Sequence, residues 1–384
     1  MKKNPPHPLQ RGTQYSLLAL AVLAGCASHP GPPRQQEAQV QQFAGKGYLS
    51  EEQFSLSTTS HQWTVAGHDL NFIASVPVRP GKYPLVIYLP GLGESRVAGD
   101  AWRAAWAQAG YAVISIQLLA EDGQAWQSAA ARNGDFKALL RERYGNTAMA
   151  ARLAALRSLI SELEKRGDEP WRQNVDTSRL VLAGYDLGAY TAQVAAGEQV
   201  RGVGGGALAN LAGVIALSPY ADFSGTGFDT RYAAIRAPFL AVTGPGDADG
   251  NGWVSPALRA APFQHMPAGS KYLLSLDDAS HDLFAGNALK AAEAETERGE
   301  SRQASRSGRR GGMGGGPGGP GGEGNGSGSD GGRGGDSGAY LQPAIKAVTT
   351  AFLDSLVKDD DIAREWLRRD ARRWLRDTGT LTVK

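Results

Sequence analysis

Apolar and polar positions follow two patterns along the chain, continuous apolar runs and stripes at helical spacing. The run YPLVIYLP at 83–90 is apolar almost throughout, as expected for a strand buried on both faces of a sheet. Between 147 and 166, apolar residues recur every three or four positions, which predicts a long amphipathic helix. Such segments alternate from about 64 to 276, a pattern typical of an α/β fold with a mostly parallel sheet and helices on both faces.

The same patterns give the order of the elements. They predict a hairpin at 64–78, strands at 83–90, 111–117, 179–184, 213–218, 238–244 and 271–276, and helices at 99–109, 147–166, 187–196 and 343–357. The connection between the strands that end near Ser218 and begin near Pro238 is only about 20 residues long. We therefore expect no large cap domain at that point.

The stretch VLAGYDLGAY at 181–190 places Asp186 between two glycines, where the strand passes into a small-residue helix. This is the outline of a nucleophile elbow, G-x-S-x-G, with aspartate in the place of serine. The helix N-terminus favours the ionised carboxylate, which is the form that attacks an electrophile.

Two further side chains follow Asp186 in a suggestive order. Asp247 or Asp249 comes after the strand that ends at Gly244, and His281 comes after the strand that ends near Leu276. Nucleophile, acid, histidine is the chain order of α/β-hydrolases, with each residue at the carboxyl end of a strand.

The loop LPGLGES at 89–95 follows an early buried strand and occupies the place of an oxyanion-hole loop. Its glycines allow the backbone to approach a ligand closely. We expect the backbone N–H of Leu92 to join that of Leu187 in holding an oxyanion.

These stretches resemble α/β-hydrolases of the dienelactone hydrolase and platelet-activating-factor acetylhydrolase type, over about 47–290 and 340–365. LPGLGES resembles that family's HGLGGS with Pro90 for histidine, GYDLGAYTA resembles GHSLGGYTA, and TGPGDADGNGWV and DDASHDLFAG resemble its acid and histidine loops. The resemblance implies the α/β-hydrolase fold, hydrolysis of ester-type or related small substrates, no metal and no cofactor. By position it makes Asp247 the triad acid and His281 the base.

Aspartate in place of serine leaves three roles open for Asp186. It is the nucleophile in families that resemble haloalkane dehalogenases and epoxide hydrolases, where it forms an ester that His-activated water cleaves. It is also able to act as a base on water, or to pair with a protonated His281 in a binding pocket without turnover. We expect an active hydrolase, because the histidine, the acid and the oxyanion loop remain. The alternative is an inactive outer-membrane lipoprotein that binds a small molecule or a partner.

The N-terminal residues predict a lipoprotein. A positive n-region and an apolar stretch too short to span a bilayer end in Leu23-Ala24-Gly25-Cys26, which resembles a bacterial lipobox. We expect a signal peptide at 1–25 and lipidation of Cys26, the chain's single cysteine, which anchors the protein to the membrane. Ala27 after that cysteine points to the outer membrane, on its periplasmic side. The Pro- and Gln-rich segment 26–46 is expected to be a tether.

A glycine-rich segment separates two parts of the predicted hydrolase domain, 47–291 and 339–384. Residues 308–338 contain 18 of the chain's 51 glycines, so we interpret 292–338 as a disordered insertion. Its Arg-Gly-Gly repeats resemble RNA-binding tails, but we favour a solvated spacer because an exported protein meets little RNA. The net charge of +2 predicts no strongly charged partner, and we expect no nucleic acid.

Other candidate sites have plainer interpretations. Asp247–Gly252 resembles the start of a calcium loop, but Leu258 stands where an EF-hand needs glutamate. Three histidines lack a catalytic context and are interpreted as surface or structural residues, and three aromatic residues are either pocket walls or core. The histidines are His61, His68 and His265, and the aromatic residues are Trp126, Tyr185 and Tyr220.

The C-terminal segment DIAREWLRRDARRWLRD at 361–377 predicts an amphipathic helix rich in arginine. Its apolar residues lie on one face of the predicted helix, and its arginines occupy most of the remaining surface. Such a helix lies on an anionic membrane or packs on its own domain, and we favour packing.

Overall fold

The computed structural model describes residues 32–287, apart from 66, 205 and 210, and residues 338–384. Their nine strands form one sheet. The strands are β1 (Leu56–Val65), β2 (His68–Pro77), β3 (Tyr83–Leu89), β4 (Ala112–Ile116), β5 (Val175–Tyr185), β6 (Leu211–Leu217), β7 (Phe239–Thr243), β8 (Lys271–Leu276) and β9 (Gly379–Val383). Their order across the sheet is β1-β2-β4-β3-β5-β6-β7-β8-β9.

The centre of the sheet is parallel and its edges are antiparallel. Strands β4, β3, β5, β6, β7 and β8 pair in parallel, whereas β1 with β2, β2 with β4, and β8 with β9 pair antiparallel. Strand β3 is buried at every position, as its continuous apolar run predicted. The prediction of an α/β fold with a mostly parallel sheet is therefore confirmed.

Helices cover both faces of the sheet. They are α1 (Pro32–Lys46), α2 (Asp100–Gln108), α3 (Ala120–Gly123), α4 (Ala129–Arg132), α5 (Phe136–Arg143), α6 (Asn146–Lys165), α7 (Leu187–Ala195), α8 (Phe228–Tyr232), α9 (Pro256–Arg259), α10 (Ala261–His265), α11 (His281–Phe284), α12 (Gly338–Val357), α13 (Asp361–Glu365) and α14 (Ala371–Leu375). Alternate residues of β3 enter two apolar clusters. Leu85 and Ile87 share one cluster with α6 and α7, and Val86 and Tyr88 share the other with α2 and α12.

Strand β3 is the point at which the chain changes the side on which it adds strands to the sheet. Strand β4 lies on one side of β3 and β5 on the other, so the loops that leave β3 and β5 diverge above the same edge. Crevices at such reversals, outside the carboxyl ends of parallel strands, are where open α/β sheets bind ligands. The loop LPGLGES and Asp186 lie at this place.

Several segments differ from the predictions made from sequence. The hairpin begins at Leu56 rather than at 64, and residues after β4 contain short helices α3, α4 and α5 where the patterns predicted no element. The part of the expected tether from Pro32 to Lys46 forms helix α1, because Phe43 finds an aromatic partner on a distant segment, the ring of Trp374, 4.3 Å away. The predicted signal peptide, Cys26 and 292–337 lie outside the described residues.

The C-terminal segment is a broken helix followed by an unpredicted strand. A π-helical turn at Trp366–Asp370 separates α13 from α14, and Leu367, Ala371 and Leu375 are buried. Strand β9 then pairs antiparallel with β8, and Leu381 lies opposite Leu274. The apolar face thus packs on the domain, as we favoured. Among the described residues, no helix is both long and apolar enough to span a bilayer.

The edge strand β9 generates a prediction about stability. Leu381 is buried, whereas its neighbour Thr382 is exposed on the other face of the strand. We expect Leu381→Ala to lower the free energy of unfolding by about 2 to 4 kcal/mol, because it leaves a cavity in the core. The control Thr382→Ala should change it by less than about 0.5 kcal/mol. Equal effects in denaturant titrations would contradict the pairing of β9 with the sheet.

Candidate active site

The turn between β5 and α7 holds Asp186 in a strained conformation. Asp186 has φ 51° and ψ −109°, a region that non-glycine residues seldom adopt and that is common at functional sites. The turn is tight because a Cβ at Gly184 would overlap the backbone of Gly188, and a Cβ at Gly188 would overlap the carbonyl of Leu89. Both glycines of GYDLG are therefore needed for α7 to approach the ends of β5 and β3.

The carboxylate of Asp186 faces a cleft and has one hydrogen-bond donor from a side chain. Asp186 is 9 % exposed, and the Tyr144 hydroxyl donates to its Oδ2 at 2.5 Å. Burial and the negative charge of Asp186 raise the pKa of the Tyr144 hydroxyl well above its ordinary value, so Tyr144 keeps its proton. Oδ1 has no hydrogen-bond partner in the described part of the chain.

Asp247 is the buried acid of the site. It follows β7, is 0 % exposed, and its Oδ1 accepts a hydrogen bond of 2.8 Å from Nδ1 of His281. Thr243 donates to Oδ2 at 2.7 Å, and the guanidinium Nε of Arg259 lies 3.3 Å from Oδ1. These donors satisfy a charge that would otherwise be costly to bury.

Asp249, the other candidate for the acid, has a different role. Its carboxylate accepts hydrogen bonds from the backbone N–H groups of Asn251, Trp253 and Val254. It thereby closes its own loop, and the histidine bonds to Asp247. Within the described ranges, no group of three or more His, Cys, Asp or Glu residues is placed to hold a metal ion.

One serine, Ser218, lies beside His281, next to the ring nitrogen that bonds to Asp247. Ser218 follows β6 with φ 57°, is fully buried, and donates to Oδ1 of Asp247 at 2.8 Å. Its Oγ also lies 3.0 Å from Nδ1 of His281, so it accepts from the same N–H that bonds to Asp247. This arrangement leaves Nε2 of His281 as the ring nitrogen without a partner in the described chain. Ser218 is therefore placed to orient the imidazole and not to attack a substrate.

The protonation of His281 reflects the charges around it. Burial disfavours the imidazolium, but the hydrogen bond to Asp247 and the negative charge of Asp186 outweigh burial and raise the pKa of His281 above its ordinary value. The positive charge of Arg259 limits this rise. Asp186 and His281 are thus electrostatically coupled, although they come from different strands.

The loop after β3 presents a free backbone donor. Gly91 N–H donates to the Glu94 carboxylate and Gly93 N–H donates to the Asp122 carbonyl, whereas the N–H of Leu92 between them has no acceptor among the described residues. The N–H of Leu187, the first residue of α7, likewise has none there. Free donors at these two places are what an oxyanion hole requires.

The cleft has a volume of about 890 Å³. Leu92, Asp186 and His281 line it together, and aromatic walls come from Trp126, Tyr144, Tyr185 and Trp253. Of the three aromatic residues singled out from sequence, Trp126 and Tyr185 line the cleft. Tyr220 lies behind it, with its ring 5.0 Å from that of Tyr144.

The other histidines lie elsewhere. His61 packs on Phe72, and His265 bonds to Asp229 at 2.6 Å. The side chain of His68 lies outside the described part of the chain.

Four residues of the site carry only weak signals in the sequence. Ser218 and Thr243 end or follow parallel strands, a position typical of active-site residues, but hydroxyls are common there. Tyr144 and Arg259 lie at or near the ends of short helices, and no spacing relates them to Asp186 or Asp247. Only the folded chain brings them to the site.

The coupling between Asp186 and His281 generates a prediction. Asp186→Asn removes a negative charge, so we expect the pKa of His281 to fall when it is followed by NMR. The exposed Asp282→Asn should cause a smaller fall. Because folding raises this pKa, its contribution to stability is complete below about pH 6.5 and is lost as pH rises through the folded value. That pH-dependent loss should shrink in Asp186→Asn. An unchanged pKa would contradict the coupling.

No protein-family model matches the chain, and no curated protein matches it either. The functional interpretation therefore depends on the residues of this cleft and on the resemblance of the motifs around it.

Proposed function

We propose that the protein is a hydrolase of the α/β-hydrolase type that acts on ester-type or related small substrates, with Asp186 as nucleophile and Asp247–His281 as the acid–base pair. The observation that supports this most is the hydrogen bond of His281 to buried Asp247 in a cleft that also exposes a carboxylate on a strained strand-to-helix turn. The three residues follow parallel strands β5, β7 and β8 in the chain order of α/β-hydrolases. The short connection between β6 and β7, which holds only α8 in its described residues, fits a member without a large cap.

The first chemical step is attack by the free Oδ1 of Asp186. A new bond forms between Oδ1 and the electrophilic carbon, and the leaving group departs with its bonding electrons. Attack on a saturated carbon gives an ordinary ester of Asp186. Attack on an ester carbonyl gives a mixed anhydride of higher energy, so carboxylic esters need a good leaving group such as an aryl oxide. The Tyr144 hydroxyl holds Oδ2 and fixes the carboxylate during this step.

The second step is hydrolysis of the covalent intermediate. Nε2 of neutral His281 takes a proton from water, and the resulting hydroxide attacks the carbonyl carbon of Asp186. Asp247 stabilises the imidazolium through Nδ1, and the Tyr144 hydroxyl, which donates to Oδ2, stabilises the oxyanion that develops on that atom. The N–H groups of Leu92 and Leu187 serve the carbonyl oxygen of an ester substrate in the first step. Collapse breaks the bond to the product oxygen, which takes the proton from His281 and leaves Asp186 free. Side chains and water suffice for this sequence.

We further propose that the protein acts at the outer membrane, where lipidated Cys26 anchors it on the periplasmic side. The lipobox-like LAGC at 23–26 supports this location.

A binding protein without turnover is the second candidate. The hydrogen bond from Tyr144 to Asp186, and the attraction between the Asp186 carboxylate and protonated His281, favour it. In this candidate, these contacts would keep Asp186 from attacking and His281 from accepting a proton.

The two candidates make different predictions for turnover and for a trapped intermediate. On a panel of aryl esters, epoxides and haloalkanes, Asp186→Asn and His281→Gln should each lower kcat by about 1,000-fold or more. His281→Gln should also accumulate an adduct on Asp186, detectable by peptide mass spectrometry, because only the second step needs the base. His265→Gln, at a histidine away from the cleft, is the control and should retain activity. A wild type that binds these compounds without turnover or adduct would favour the binding protein.

The substitution Asp186→Ser tests the rest of the site without relying on the aspartate. Serine Oγ at this turn would lose its proton to Nε2 of His281, and its attack on an activated aryl ester would use the same oxyanion donors. We expect aryl-ester hydrolysis to appear or rise sharply and to increase with pH as the imidazole becomes neutral. The gain should vanish in Asp186→Ser with His281→Ala. A folded Asp186→Ser protein without turnover at any pH would show that the remaining groups do not form a catalytic site.

A further inference from the structure

A second cavity lies on the surface formed by α1, α12 and the C-terminal helical segment. It has a volume of about 420 Å³, and we call it the basic groove. Aromatic rings and cationic side chains line it together. They include Phe43, Trp366 and Trp374 among the aromatic residues, and Lys46, Arg373 and Arg376 among the cationic ones.

The aromatic residues of the basic groove are fixed in place by contacts within the domain. Trp374 stacks on Phe43 with ring centroids 4.3 Å apart and donates its indole N–H to the Phe43 carbonyl at 2.9 Å. Trp366 packs 5.4 Å from Trp374. All three rings remain partly exposed. Their packed sides hold the rings in place, and their exposed edges form the apolar part of the groove.

The charge beside the groove exceeds what its acidic neighbours balance. The segment 361–377 has six arginines and four acidic residues. Arg369 and Arg373 pair with Glu365 and Asp370, whereas Arg368, Arg372 and Arg376 are exposed and have no carboxylate partner among the described residues. Arg376 lines the groove, whereas Arg368 in the π-helical turn and Arg372 in α14 lie on the same short segment outside its lining.

We infer that the basic groove and its arginines bind the surface of an anionic phospholipid bilayer. Tryptophan rings at the level of the headgroups and arginines that contact lipid phosphates are the features that hold a helix in a membrane interface. The inference does not require the proposed hydrolysis.

The position of the predicted anchor is consistent with this orientation. Cys26 precedes the start of α1 by six residues, which span at most about 20 Å when extended. The last turns of α1 line the basic groove. A lipid on Cys26 would therefore hold the N-terminal end of α1, the helix whose last turns line the groove, near the bilayer.

The basic groove also adjoins the catalytic cleft. The first turns of α12 contribute to both cavities, with Tyr340 at the groove and Leu341 and Gln342 at the cleft. A bilayer bound at the groove would thus lie next to one wall of the cleft.

The test is co-sedimentation of the full chain with vesicles, in a Cys26→Ser background so that no lipid anchor contributes. Vesicles of phosphatidylcholine alone are compared with vesicles that also contain phosphatidylglycerol. We expect stronger binding to the anionic vesicles, weakened by added salt. The triple variant Arg368→Gln, Arg372→Gln, Arg376→Gln should lower the partition coefficient by about 100-fold, at about fivefold for each arginine.

The control removes three positive charges from exposed residues elsewhere, Lys137→Gln, Arg141→Gln and Arg201→Gln. Helix α5, which holds Lys137 and Arg141, packs in the other apolar cluster, away from α12 and α14. Any contribution of the N-terminal residues is the same in both variants. Equal losses in the two triple variants, or no preference of the parent for anionic vesicles, would overturn the inference.

Discussion

The candidate site depends on one buried charge, the carboxylate of Asp247. An ionised group with no contact to solvent is stable inside a protein only when hydrogen bonds and opposite charge replace its hydration. Here Ser218, Thr243, His281 and Arg259 surround it, and they come from four separate segments of the chain. The need to satisfy Asp247 therefore determines where His281 lies and which of its nitrogens faces the cleft.

The second constraint is the close approach of α7 to the ends of β3 and β5. Gly184 and Gly188 allow the backbones to touch, and this contact forces Asp186 into a left-handed conformation that presents its carboxylate to the cleft. In a serine hydrolase the same turn would present a hydroxyl. The carboxylate adds a negative charge to the site, which raises the pKa of His281 and recruits the Tyr144 hydroxyl as donor. The aspartate at this one position thus determines much of the electrostatics of the site, and both proposed functions depend on it.

The two cavities belong to one arrangement of the C-terminal part of the chain. Helix α12 covers the sheet and contributes to the cleft, while α14 and the π-helical turn before it line the basic groove and lead into β9 at the sheet edge. Under the proposals above, a substrate that partitions into the bilayer would reach the cleft from the adjacent surface. The packing of α1 on this region connects that surface to the N-terminal residues, which carry the predicted anchor.

Local patterns in the sequence were sufficient for the α/β class, for most strands and helices, for the positions of Asp186 and His281, and for a carboxylate at 247 or 249. A buried strand needs an apolar run, a helix needs apolar residues at helical spacing, and a tight turn needs glycines at set positions. Each of these patterns involves only residues close together in the chain, so it can be recognised from the sequence. The choice of Asp247 over Asp249 as partner of His281, the hydrogen bonds from Tyr144 and Ser218, the helix in place of a tether and the strand β9 all depend on residues that are distant in sequence. Only tertiary structure decided these features, because a buried charge or an edge strand selects its partner by proximity in space.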